Sequence, residues 1–77
     1  MDMPDTIGGL LRALRERAGM THRQVGAHLG VHATLVGRWE DGSRALHWDR
    51  AVQMLDLYGA TASERHLATQ LRRHQAA

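Results

Sequence analysis

The chain of 77 residues contains no cysteine, lysine, asparagine or phenylalanine, and Ile7 is its single isoleucine. Without cysteine there is no disulfide framework, and none of the ligand spacings of small zinc domains is present. Packing alone must therefore hold so short a chain together. The absence is also compatible with a reducing compartment. No apolar run approaches the roughly 18 residues of a membrane span. The opening MDMPDT has neither a basic start nor an apolar signal-type stretch, so the expectation is a soluble, cytoplasmic protein with no membrane partner. The missing residues have AT-rich codons and the abundant ones GC-rich codons, which points to a high-GC bacterial genome. All ten basic residues are arginine, yet the formal net charge is only +2. Composition alone makes a weak case for a polyanionic partner; where the arginines lie carries the argument.

What the chain does have is apolar residues, 43% of the total, at helical spacing. The pattern predicts one all-α domain over residues 1–77, built of five short helices. Asp5 or Thr6 caps a first helix to about Ala18, with Ile7, Leu10, Leu11, Leu14 and Ala18 on its apolar face and Gly8 and Gly9 weakening its first turn. Thr21 with Gln24, and Thr61 with Glu64, are capping boxes for a second helix (about 22–29) and a fifth (about 62–74). A third helix spans about 33–41, and a fourth, about 47–58, buries Trp48, Ala51, Val52 and Leu55. The most telling stretch is Leu29 to Gly42. Gly26 stands four residues before Gly30, Val25 and Leu29 flank it, and Val36 and Trp39 follow at six and nine places. That spacing describes two helices crossing around one small contact, with Gly30 free to take the positive φ of the corner. It is a helix-turn-helix, the motif that sets its second helix in the major groove of DNA.

On the third helix Val36 and Trp39 face inward, which turns Ala33, Thr34, Gly37 and Arg38 outward. Arginine reads guanine through O6 and N7, so Arg38 leads the base-reading candidates, with a phosphate contact or a solvated charge as the alternative. Thr34 offers one hydrogen bond and Ala33 a methyl contact to thymine. Gly37 permits close approach to the DNA or is simply a weak helix position. Thr21, His22 and Arg23 open the second helix, where backbone N–H groups point outward. The segments LRALRERAGMT, QVGAHLGV, GRWEDGSR and LDLYG, in that order and without gaps, resemble the Cro/repressor-type (XRE-like) helix-turn-helix family over residues 7–59, in the form common among actinobacterial regulators. The resemblance implies a lambda-repressor-like fold and sequence-specific binding of double-stranded DNA by a transcriptional regulator. It implies base contacts at Ala33 and Thr34, and backbone contacts from Thr21, His22, Arg23, His32 and Arg44. It also implies a structural ion pair between Arg15 and Glu40. Two departures stand out. Gly26 replaces the family's alanine, a change expected to be harmless to the crossing, and His32-Ala33 replaces its Ser-Gln.

Other chemistry finds little footing. The six histidines include His28 and His32, four apart but separated by the corner at Gly30, and His66 and His74, eight apart without a third ligand, so no metal site is expected. Ser43 and Ser63 lie in no catalytic motif, Glu40 and Asp41 are sequence neighbours rather than a facing pair, and no phosphate-binding glycine loop is present. No enzyme activity and no cofactor are expected. So few reading groups favour two copies acting as a weak homodimer on a near-palindrome. Leu67 and Leu71 form the apolar seam of the fifth helix, and Ala68, Arg72 and Gln75 form the face expected to meet the partner. The rival reading is a protein-interaction module, an antitoxin or coregulator, that keeps the fold.

Overall fold

The computed structural model describes residues 4–75, in which the chain forms α1 (Ile7–Arg17), α2 (His22–Leu29), α3 (Ala33–Asp41), α4 (Trp48–Leu57) and α5 (Ala62–Gln75). The fold is all-α, and no helix among the described residues is long and apolar enough to cross a membrane. Several boundaries have a local cause. Thr6 caps α1, its hydroxyl accepting the Gly9 N–H at 2.9 Å, while Asp5 stays outside the cap. Thr21 and Gln24 exchange hydrogen bonds of 3.1 and 2.9 Å across the start of α2, and Thr61 and Glu64 do the same at α5 with 3.1 and 2.8 Å. At the corner between α2 and α3, Gly30 takes φ 72° and ψ 32° and returns its N–H to the Gly26 carbonyl, a geometry any side chain would strain.

The core lies around α1, which packs against α3, α4 and α5, with α2 closing on α3. Leu11, Val25, Val36, Met54 and Leu55 are its largest fully buried side chains, with Trp39, Tyr58 and Leu71 around them. Two glycines set how closely the helices approach. A Cβ on Gly8 would stand 2.5 Å from the carbonyl oxygens of both Trp39 and Glu40, so α1 lies directly on the backbone at the end of α3. A Cβ on Gly26 would stand 2.5 Å from the Val31 carbonyl. The corner has thus closed around a glycine, and alanine is not a harmless exchange here.

The structure corrects the sequence reading at the edges of the core. Ala18 is exposed, because α1 ends at Arg17 and the chain turns away. On α4 the fully buried set is Ala51, Met54 and Leu55, while Val52 and Trp48 are half-buried. Ala68, placed on a face free for a partner, is fully buried. Arg72 from that same face lies over the Trp48 ring, its guanidinium carbon 4.5 Å from the ring centroid, a cation–π contact that spends the side chain within the monomer. The side chains of Gln75, the third residue of that face, and of His74 lie outside the described residues.

Candidate nucleic-acid interface

Half of the ten arginines hold the helices together, Arg72 through the Trp48 ring and four others through hydrogen bonds. Arg15 grips Glu40 with two N–H groups, Nε to Oε2 at 2.7 Å and Nη2 to Oε1 at 3.1 Å, and donates a third hydrogen bond to the Met20 carbonyl at 2.9 Å. The pair is deep, with the side chains only 12% and 4% exposed. It ties α1 to the last turn of α3 in the bidentate geometry that suits arginine and carboxylate. Arg17 pairs with Glu64, joining α1 to α5; with the Thr61 N–H, it holds the Glu64 carboxyl down at about 2. Arg65 bonds Asp56 at 2.6 Å, and Arg50 donates to the Leu29 carbonyl at 3.0 Å, closing the end of α2 from α4. The arginines outside these inter-helix contacts are Arg12, Arg23, Arg38, Arg44 and Arg73. Of these, Arg12 makes only a loose contact to Glu16 on its own helix, at 3.5 Å with both side chains well exposed. The first four of this set lie on α1, α2, α3 and the loop that follows α3.

One open groove of about 690 Å³ collects much of the predicted site. Its walls are Ala33, Thr34, Gly37 and Arg38 from the outward side of α3, joined by His22 from α2 and Arg12 from α1, with the Arg15–Glu40 pair beneath. Thr34 and Arg38 are exposed, and Ala33 and Gly37 half-buried. The open side of Gly37 is covered by His22: a Cβ there would meet the imidazole at 3.6 to 3.9 Å. His22 is itself engaged, its Nε2 2.9 Å from Glu40 Oε1.

The remaining candidates sit around the groove rather than in it. Thr21 uses its hydroxyl as the cap of α2. Arg23 is exposed and does not line the groove. His32 caps α3, Nδ1 accepting the Thr34 N–H at 3.1 Å, and so helps to start the helix that carries Thr34 and Arg38. Arg44 is exposed in the loop after α3; its backbone N–H bonds the Arg38 carbonyl at 3.2 Å, and its side of the loop borders a separate cleft with Thr6 and Gly8.

Sequence reasoning missed two groove residues. Asp41 lies three residues after Arg38 on α3, a neighbour on the same helix face that the periodicity alone could have found. Its carboxyl is held below the usual range by the hydroxyl and N–H of Ser43 and by the nearby Arg38 charge. Arg12 enters the groove only because α1 packs beside α3, and no local signal reports that. Tyr58 is a further surprise: its hydroxyl is buried beside the Arg15–Glu40 pair without a hydrogen-bond partner, and burial, with the Glu40 charge, pushes it up to about 12. Among the described residues no group of three or more His, Cys, Asp or Glu converges as a metal centre would require.

Comparison with known proteins fits this geometry. No curated protein and no solved structure shows significant similarity to the chain. A family model described as a helix-turn-helix domain matches residues 6–68, which takes in the caps, the corner at Gly30 and the first half of α5. The chain belongs to the helix-turn-helix domain family.

Proposed function

We propose that the protein is a bacterial transcriptional regulator of the Cro/repressor (XRE-like) type that binds double-stranded DNA sequence-specifically. In this reading α3 enters the major groove, Arg38 reads guanine, and Ala33 and Thr34 supply the lesser contacts. Gly37 lets the helix lie close to the bases. Thr21, His22, Arg23 and His32, with Arg44 in the loop, hold the backbone. The observation that carries the reading is the division of the arginines. Those at helix junctions are paired, while Arg38 stands exposed on α3 with no carboxylate in salt-bridge range among the described residues. Two copies on a near-palindrome, forming a weak homodimer, would double a short list of reading groups. The partner surface must lie elsewhere than Ala68 and Arg72, which the monomer already uses.

Fluorescence anisotropy with duplex DNA at graded salt tests the reading, with selection from genomic fragments supplying the preferred site. Arg38→Ala is expected to lose about 1–3 kcal/mol on that site and to relax preference at one base pair. Arg23→Ala and Arg44→Ala are expected to weaken all sequences alike, each lowering the salt slope by about 0.9. A protein that shows no salt-sensitive duplex binding is instead the interaction module, an antitoxin or coregulator, which the small net charge of +2 also fits.

A further inference from the structure

His22 differs from the other backbone-contact candidates in that its ring is engaged with a buried carboxylate. Nε2 lies 2.9 Å from Oε1 of Glu40, a carboxylate whose side chain is 4% exposed and which also receives both N–H groups of Arg15. The imidazole itself keeps 42% of its surface open, and its Nδ1 has no hydrogen-bond partner among the described residues. The ring lies on the groove side of α3, within 3.6 to 3.9 Å of where a Cβ on Gly37 would stand. A single side chain therefore reaches from the start of α2 to the middle and end of α3.

The charged groups that share this cleft are Arg12 and Arg15 from α1 and Arg38, Glu40 and Asp41 from α3. Arg23 follows on the ring's own helix, and the Tyr58 hydroxyl lies on the buried side near Arg15 and Glu40. Three arginines face two carboxylates there, so an imidazolium adds to an excess of positive charge that an approaching polyanion would relieve. Hydrogen-bond chemistry leads to the same place. In the neutral ring with its proton on Nε2, that nitrogen donates to Glu40 and Nδ1 presents a lone pair to the groove. A phosphate oxygen meeting that edge sets acceptor against acceptor. The imidazolium has a donor on each nitrogen, one for the buried carboxylate and one for the phosphate.

We propose that His22 is a positioning residue that couples DNA binding to the uptake of one proton, its imidazolium bridging buried Glu40 and a backbone phosphate and so fixing α3 against the duplex. The inference rests on the DNA-binding reading above. The proton comes from solvent, one for each domain bound, so affinity rises as pH falls.

Anisotropy with a non-specific duplex at pH 7.5 and 5.5, at constant ionic strength, tests it on the full chain. The wild type is expected to bind at least about threefold more tightly at pH 5.5, a gain that uptake of one proton allows, and His22→Gln, which keeps an N–H for Glu40 but cannot titrate, to change by no more than about twofold. His28→Gln, at an exposed histidine of α2 that does not line the groove, is expected to retain the wild-type response. Equal wild-type affinity at the two pH values overturns the inference, as does a full response surviving in His22→Gln, and both leave the DNA-binding reading standing. Absence of duplex binding at either pH overturns that reading and the inference with it. Should His22→Gln fail to fold by circular dichroism, NMR titration of the wild-type ring replaces it. The midpoint is expected to rise when duplex is present, and an unmoved midpoint refutes the coupling.

Discussion

Glu40→Ala measures how much of the fold hangs on one carboxylate. Glu40 accepts hydrogen bonds from Arg15 at 2.7 and 3.1 Å, and its Oε1 lies 2.9 Å from His22 Nε2. Its removal leaves the Arg15 guanidinium, 12% exposed, with only the Met20 carbonyl at 2.9 Å. Orphaning one member of a buried pair costs about 3–5 kcal/mol. The surviving bond to Met20 and the partial exposure of Arg15 place this site at the lower end, about 3 kcal/mol. A domain of 77 residues has a total stability of about 4–12 kcal/mol, so the loss is a large share of it. At about 4–8 °C per kcal/mol for a domain of this size, the melting temperature should fall by about 12–24 °C. Thermal unfolding followed by calorimetry and circular dichroism reads this directly. The cost is attributed to the stranded charge, so Arg15→Met combined with Glu40→Leu should recover most of it, since apolar replacement of a buried pair is often neutral. A fall of less than about 4 °C in the single variant, corresponding to under about 1 kcal/mol, would refute the reasoning. So would a double variant no more stable than Glu40→Ala.

Gly8 on α1 and Gly37 within α3 should respond to alanine in opposite senses. Gly8→Ala drives a methyl group to 2.5 Å from two carbonyl oxygens of α3 and should destabilise by about 1–3 kcal/mol or more, whereas Gly37→Ala meets only the His22 ring at 3.6 Å and should gain up to about 1 kcal/mol. Chemical denaturation compares them, and a Gly8→Ala variant as stable as wild type would mean that α1 does not rest on the α3 backbone. Glu64 predicts an acid limb: Arg17 and the Thr61 N–H hold its carboxyl down to about 2 in the folded protein. The stability it contributes is complete above the unfolded glutamate value of about 4.3 and is lost as pH falls through about 2. Glu64→Gln should flatten the stability curve in that window, and an unchanged acid limb would remove Glu64 as its source.

The helices and their ends were legible in the sequence because their causes are local. Thr21 with Gln24, Thr61 with Glu64, and the left-handed glycine at 30 act within a few residues, and the inward rows through Leu14, Val36 and Leu55 follow from helical period alone. The outward side of α3 was legible for the same reason, as the complement of Val36 and Trp39. What the sequence could not carry is which distant side chains meet. Gly8 looked like a weak first turn and is the contact that lets α1 lie on α3; Ala68 and Arg72 looked free and are used by the core and by Trp48. Arg12 joins the groove, and His22 reaches Glu40, across separations of 18 residues or more that no periodicity spans. Helix formation is decided by neighbours along the chain, so composition and spacing determined it for this protein. Which charge pairs, and which stays open to a partner, depends on where the packed helices bring their surfaces together, and only the tertiary structure decided that.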